Sequence, residues 1–332
     1  MDSLAVALPI FLISGVLVVV AGIGLARFGE DLAEQTGWGQ LWVGTILVSV
    51  ATSLPELLTN ASAVLIDEAP LALGTVFGAN MKNMWTVALV AVFFGVSKLF
   101  AGQGRATRRL ATTAVVLGAL AVGFATAGDF ALGPFSLGAL VIGVGYIIGM
   151  RLVFSATVSD GAEATGEDTA AEEVAGGAAR AWIGFSGAAL VIVMASPLLA
   201  LSAGGIADAT GLASSFMGVI AVAVVTTLPE VTVSVAAAFR RSYGLVLGSI
   251  YGSCAFNTLV ITLVDPLHGN EPILRAMGPE HFVAGGTAVG LMLAGLLVLQ
   301  SYRNRSISFL RGLVPVMVVA YPLSLVWVFV AA

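Results

Sequence analysis

Two short stretches decide the fold: residues 52–56 read Thr-Ser-Leu-Pro-Glu, and residues 226–230 read Thr-Thr-Leu-Pro-Glu. The second stretch follows the first by 174 residues. In each copy an asparagine follows the glutamate 27 residues later, at Asn83 and Asn257. This repetition predicts that the chain consists of two related halves.

The composition restricts the class of protein. Of 332 residues, 58% are hydrophobic and 10% are charged, whereas a soluble domain carries about 25% charged residues. These values exclude a soluble globular enzyme, a disordered chain and a nucleic-acid binder. Apolar runs long enough to cross a bilayer as helices predict an all-α integral membrane protein with ten spans. The predicted runs are 4–26, 40–66, 70–97, 109–127, 131–153, 181–203, 213–238, 244–264, 281–300 and 309–331.

The basic residues predict the orientation in the membrane. With ten spans, twelve of the 14 lysines and arginines fall on one side, Arg275 alone falls on the other, and Lys82 lies inside a span. Basic loops stay in the cytoplasm. We therefore expect a multi-pass protein of the cell membrane with both termini outside.

The chain divides into an N-terminal five-helix repeat (1–154), an acidic cytoplasmic linker (155–180) and a C-terminal five-helix repeat (181–332). Because five is an odd number, the second half is predicted to be inserted upside down. The linker contains six acidic residues and no basic residue before Arg180. It is predicted to be a solvated, flexible connection, and a regulatory cation site remains an alternative.

The predicted spans contain two deep carboxylates, Glu56 and Glu230. A charge at that depth costs several kcal/mol, so each is expected to face other spans or a cavity. Each follows a proline, which has no N–H and leaves a carbonyl oxygen unpaired one turn earlier. Such carbonyls, carboxylates and hydroxyls are the hard oxygen donors that Na⁺ and Ca²⁺ prefer. The neighbouring hydroxyls belong to Thr52, Ser53, Thr226 and Thr227.

These motifs resemble a known family. Residues 52–56 and 226–230 look like the alpha-repeat signatures of the sodium/calcium exchangers, within the calcium/cation antiporter superfamily. The segments Gly-Ala-Asn-Met-Lys-Asn (78–83) and Gly-Ser-Cys-Ala-Phe-Asn (252–257) look like the second motif of that family. The resemblance extends over both halves, including the span count and the orientation.

The resemblance implies a secondary active cation antiporter rather than an enzyme. It would exchange Ca²⁺ for Na⁺, or for H⁺ as in sister branches, by alternating access. The ions would be substrates, with no cofactor. Partners would be inorganic cations and the lipid bilayer but no nucleic acid; the oligomeric state stays open, and a monomer is compatible. The ligands carried over are Glu56, Glu230, Thr52, Ser53, Thr226, Thr227, Asn83, Asn257 and Ser253, with the backbone carbonyls of Ser49 and Ala223.

The chain departs from the family at four positions: Ala79, Cys254, Asn257 and, most consequentially, Lys82. Lys82 occupies a normally apolar place beside Asn83. It either points away from the site and snorkels or pairs with a glutamate and replaces a bound cation. In the second case, a different, monovalent ion would be carried or exchange would be coupled to H⁺. A channel would need a continuous polar path, and the sequence has one polar cluster.

Overall fold

The computed structural model describes residues 4–164, 174–210, 228–269 and 271–331. Nine of its helices are long and apolar enough to cross a membrane, and a shorter apolar helix, Leu228–Phe239, makes the tenth. The predicted ten-helix architecture is confirmed, although the seventh predicted span, 213–238, is described only from residue 228. The ten helices are α1 Leu4–Thr36, α2 Gln40–Leu65, α3 Ala69–Phe94, α4 Arg105–Ala127, α5 Leu137–Ala164, α6 Val174–Thr210, α7 Leu228–Phe239, α8 Tyr243–Val264, α9 Pro279–Ser301 and α10 Leu313–Ala331.

Smaller elements connect these helices. A five-residue helix, Val96–Phe100, follows α3 after a break at Gly95, whose φ is 106°. Two strands, β1 Ala131–Leu132 and β2 Phe135–Ser136, form an antiparallel hairpin. The fifth span was expected from residue 131 but begins at residue 137, because Gly133 with φ 68° turns the chain into the hairpin. The 3₁₀ helices are Asp265–His268, Ile273–Ala276 and Arg305–Gly312.

Helix structure extends into the segment 155–180. α5 continues to Ala164, and α6 begins at Val174. The remaining acidic residues of the expected linker, from 165 to 173, lie outside the described residues. The described part of this segment therefore prolongs the two adjoining spans as helix.

The helix boundaries repeat with the same 174-residue shift as the sequence motifs. Helix Ala69–Phe94 and helix Tyr243–His268, which includes the 3₁₀ turn after α8, each have 26 residues and correspond end to end. α4 and α9 correspond in the same way, with 23 residues each. The turns agree too: Asp67 and Arg241 share a φ of 63°. The two halves thus repeat in backbone conformation as well as in sequence.

Among the described spans, α8 is the most buried, with 89% of its apolar window inside the protein. It packs against α2, α3, α4, α5 and α7, while α1 and α6 pack along each other. Two glycines permit the approach of α8 to α2. A Cβ at Gly252 would lie 2.7 Å from the carbonyl oxygen of Thr45. A Cβ at Gly248 would overlap the carbonyl oxygen of Leu41. Gly78 is the counterpart of Gly252 in the first half. The residues that would correspond to the neighbours of Gly252 lie outside the described residues.

The close contact at Gly248 predicts a measurable cost of adding one methyl group. Gly248→Ala should lower stability by about 1–3 kcal/mol, because the methyl group would overlap backbone atoms that cannot rotate away. Gly286→Ala is the matched control, since nothing lies within 4 Å of a Cβ there. Thermal unfolding in detergent should show a lower Tm for Gly248→Ala alone. Equal Tm values for the two variants would contradict this account of the α2–α8 contact.

Candidate cation site

The helix that carries Glu56 is irregular just before the site. Residues Gly44–Val48 form a π-helical turn, a feature that often marks functional sites. The Ser49 hydroxyl donates back to the Thr45 carbonyl, and Thr52 Oγ1 donates to the Val48 and Ser49 carbonyls at 3.1 and 3.3 Å. Pro55 lies inside the helix and contributes no N–H. Hydrogen bonds from these hydroxyls to nearby backbone carbonyls thus fix their positions about one to two turns before the glutamate.

The structure brings three charged side chains from three helices together. The side chains of Glu56 and Glu230 lie close enough to interact, and Thr52 lies close to Glu230. Lys82 of α3 lies close enough to interact electrostatically with both glutamates. Two adjacent carboxylates repel unless a proton or a cation lies between them. The Lys82 ammonium offsets part of this negative charge.

Exposure differs across this cluster. Glu230 is 5% exposed, whereas Glu56 and Lys82 are half-buried. The position equivalent to Lys82 in the second half is occupied by Phe256, which is 7% exposed. At this position the first half therefore carries a positive charge, whereas the second half carries an apolar ring.

Several buried oxygens of the predicted ligand set have no hydrogen-bond partner. In the described part of the chain they are Ser53 Oγ, Glu56 Oε2, Glu230 Oε2, Ser253 Oγ and Asn257 Oδ1. Buried polar atoms of native proteins are almost always satisfied. Among the described residues, this cluster has five oxygens and no nitrogen without a hydrogen-bond partner. This pattern favours a cation as the missing partner. Among the described residues, no group of three or more His, Cys, Asp or Glu is arranged so that it could hold a metal ion, so a cation here would bind two carboxylates and neutral oxygens.

The two asparagine amides lie against residues of the opposite half. Asn257 Nδ2 donates to Asn80 Oδ1 at 3.3 Å, and Asn80 Nδ2 donates to Thr258 Oγ1 at 3.3 Å. In the equivalent arrangement, the Asn83 side chain lies near Cys254. Asn80 and Cys254 occupy the same position in the two repeats. Asn80 thus orients the Asn257 amide, a role that sequence reasoning missed.

Sequence reasoning also missed Asn60 and Ser234. They are equivalent under the 174-residue shift and follow Glu56 and Glu230 by four residues, which places each about 6 Å along the same helix face. Asn60 is 1% exposed and Ser234 is fully buried. Asn60 Oδ1 and Ser234 Oγ have no hydrogen-bond partner among the described residues. The repeat itself was the signal that could have revealed this pair.

The remaining predicted ligands divide into two groups. Ser49 is buried on α2 next to Thr52, and its carbonyl already accepts from the Thr52 hydroxyl. Thr226, Thr227 and Ala223 lie outside the described residues. The described site therefore contains the predicted ligands of the first half together with Glu230, Ser253 and Asn257.

Comparison with known proteins agrees with this arrangement. The family model described as sodium/calcium exchanger protein matches residues 6–155 and 180–330. The inner membrane protein YrbG of Escherichia coli is 25% identical over 261 residues, which cover 75% of this chain and 76% of YrbG. The sodium/calcium exchanger MaX1 of Methanosarcina acetivorans is 26% identical over a shorter stretch of 90 residues, 27% of this chain and 26% of MaX1.

The fold has a solved counterpart. A structure of the sodium-calcium exchanger NCX_Mj superimposes with a TM-score of 0.71 at 20% identity and covers 98% of this chain and 99% of its own. The family model matches nearly all of both halves and leaves out the segment between them. That family comprises membrane transporters and is not a class of enzymes. The chain therefore belongs to the sodium/calcium exchanger family of multi-pass membrane cation antiporters.

Proposed function

We propose that this antiporter exchanges Ca²⁺ for Na⁺ by alternating access at the site between α2, α3, α7 and α8. The observation that carries the proposal is the convergence of Glu56 and Glu230, the glutamates of the two repeats, with orphaned neutral oxygens around them. Carboxylates combined with hydroxyl and amide oxygens suit Na⁺ and Ca²⁺ rather than softer metals. The names of NCX_Mj and MaX1 agree with this choice of ions.

The proposed ligand set follows the repeat. Glu56 and Glu230 are the central ligands, and the amides of Asn83 and Asn257 complete the site. The other proposed donors are Thr52, Ser53, Ser253, Thr226, Thr227 and the carbonyls of Ser49 and Ala223. We add Asn60 and Ser234, whose orphaned oxygens lie one turn beyond the glutamates.

The proposed transport cycle uses the unequal packing of the helices. α1 and α6 pack mainly along each other, while the site helices α2, α3, α7 and α8 form a contiguous core. Sliding of the α1–α6 pair across this core would expose the site to one side at a time. Two bare carboxylates in a closed site are costly, so an unoccupied carrier should not cross between states. Because basic loops stay in the cytoplasm, we place both termini outside and the acidic segment 155–180 in the cytoplasm.

The position of Lys82 favours a second candidate function. Its ammonium interacts with both glutamates, so the charged site carries a net charge of −1 rather than −2. A site with that charge suits a monovalent ion, or exchange coupled to movement of the lysine proton. In this alternative Lys82 acts as a built-in cation that a transported ion must displace.

Removal of either carboxylate tests the site. Glu56→Gln and Glu230→Gln should each reduce exchange at least tenfold, because one charge is removed from a site that has two. The measurement is Na⁺-gradient-driven ⁴⁵Ca²⁺ uptake into proteoliposomes, with a pH-gradient arm for the second candidate function. Glu68→Gln is the matched control, since Glu68 is exposed in the turn between α2 and α3. Wild-type flux of every ion tested in either site variant would disprove the assignment.

Replacing Lys82 separates the two candidate functions. Lys82→Phe copies the residue of the other half, Phe256, and should raise Ca²⁺ affinity at least tenfold if the ammonium competes with the ion. Lys82→Arg keeps the charge and should leave ion selectivity close to that of the wild type. Selectivity is measured by ⁴⁵Ca²⁺ and ²²Na⁺ flux under Na⁺ and pH gradients. Identical ion dependence of Lys82→Phe and wild type, at equal expression, would rule out the built-in cation.

Substitutions that remove the side-chain oxygen test the roles of Asn60 and Ser234, the residues one turn beyond the glutamates. Asn60→Ala and Ser234→Ala should each raise the KM for the transported cation at least threefold, because each removes an oxygen donor. Ser62→Ala is the control, as the exposed Ser62 hydroxyl donates to the Leu58 carbonyl of its own helix. If the three variants have the same KM, Asn60 and Ser234 are not part of the ion path.

A further inference from the structure

The end of α1 is bound to the turn between α7 and α8, which consists of residues 240–242 and is called here the inner turn. The Arg240 guanidinium and the Ser242 hydroxyl each donate to one oxygen of the Glu30 carboxylate. The Glu30 side chain is 12% exposed, and Ser242 is fully buried. This contact joins the α1–α6 pair to the core formed by the site helices.

The surroundings of Glu30 strengthen the contact. Ser242 is the N-cap residue of α8, but its side chain makes no hydrogen bond to that helix. Its hydroxyl donates to Glu30 instead, so the carboxylate lies at the N-terminus of α8, where the helix dipole favours a negative charge. Arg240 is 41% exposed and would contribute little as an isolated surface ion pair. The buried hydroxyl and the helix end add to it, because hydrogen bonds to a charged group are stronger than neutral ones.

Backbone packing closes the same end of the protein. Gly29, the residue before Glu30, faces α2 and α8. A Cβ at Gly29 would lie 3.3 Å from Val48 Cγ2 and 3.7 Å from Leu245 Cδ1. α1 therefore covers the start of α8 and the inner turn in the state described here.

The opposite end of the protein lacks this contact. The turn between α2 and α3, residues 66–68, is the counterpart of the inner turn and is called here the outer turn. The 174-residue shift gives the counterparts of the three contact residues: Gly204 for Glu30, Ile66 for Arg240 and Glu68 for Ser242. Among the described residues, nothing lies within 4 Å of a Cβ at Gly204, and Ile66 is 70% exposed. α6 therefore leaves the outer turn uncovered.

This difference between the two ends favours one state of the carrier. Because the halves repeat, exchanging their conformations generates a second state in which α6 covers the outer turn and α1 leaves the inner turn. Glu30 loses both donors in that state. Gly204 has no side chain and cannot form an equivalent contact with the outer turn. A contact that exists in only one of two states shifts the population toward that state.

We propose that the contact of Glu30 with Arg240 and Ser242 is a one-sided latch that holds the carrier in the state described here. This role rests on the proposed sliding of the α1–α6 pair. The inner turn lies at the end that we place in the cytoplasm, so the latched carrier is closed there and its site opens to the outside. The latch must break each time the site turns toward the cytoplasm.

Hydrogen–deuterium exchange of the full chain in lipid nanodiscs, at one fixed ion composition, tests the latch. Glu30→Gln should increase exchange at residues 240–246 at least threefold and decrease it at residues 66–72, because one turn is uncovered as the other is covered. Arg240→Gln should change both segments in the same directions. The double variant should change them no more than the stronger single variant, since both substitutions break one contact. Glu34→Gln is the matched control, because Glu34 is exposed on α1 one turn beyond Glu30.

Faster exchange at residues 240–246 in Glu30→Gln, without slower exchange at residues 66–72, would identify a purely local contact and overturn the latch. Equal exchange in Glu30→Gln and Glu34→Gln would do the same, as would additive effects in the double variant. Unchanged Tm values confirm that each variant is folded. Flux through Glu56→Gln tests the cation site, whereas this measurement requires no flux, so the latch and the proposed function can fail separately.

Discussion

Two carboxylates and one ammonium meet in a region that the bilayer keeps away from bulk water, and the rest of the fold depends on this balance of charge. Glu56, Glu230 and Lys82 come from three helices, so the cluster exists only when both halves are docked. An uncompensated charge at this depth would cost several kcal/mol. The helices must therefore hold these groups against each other, or against a cation, whenever the site is closed.

The two repeats bring these groups together through contacts between equivalent positions. The amide of each repeat lies against the same position of the other repeat: Asn257 donates to Asn80, and Asn83 lies near Cys254. Glycines on α8 let its backbone approach that of α2 closely. Lys82 breaks the symmetry, since its counterpart Phe256 is apolar. A single residue thus changes the charge of a site whose geometry is otherwise repeated.

Hydropathy located the spans because each span must bury about 20 apolar residues in lipid. The repeat identified the glutamates because both halves carry the same motif. The helix ends were less predictable. α1 continues to Thr36 beyond its apolar run, since a helix can extend into water when its residues favour helix. The hairpin at residues 131–136 forms because the chain turns at Gly133. The mean hydropathy over these residues does not reveal this turn.

From the sequence alone came the ten-span plan, the two inverted halves and the identity of the charged residues at depth, because composition and repetition are properties of the chain itself. The tertiary structure decided that Lys82 lies close to both glutamates and that Asn80 holds the amide of Asn257 in the opposite half. These facts depend on the rotation and depth of each helix relative to its neighbours. That register is set by packing between residues far apart in the chain, and no local pattern encodes it.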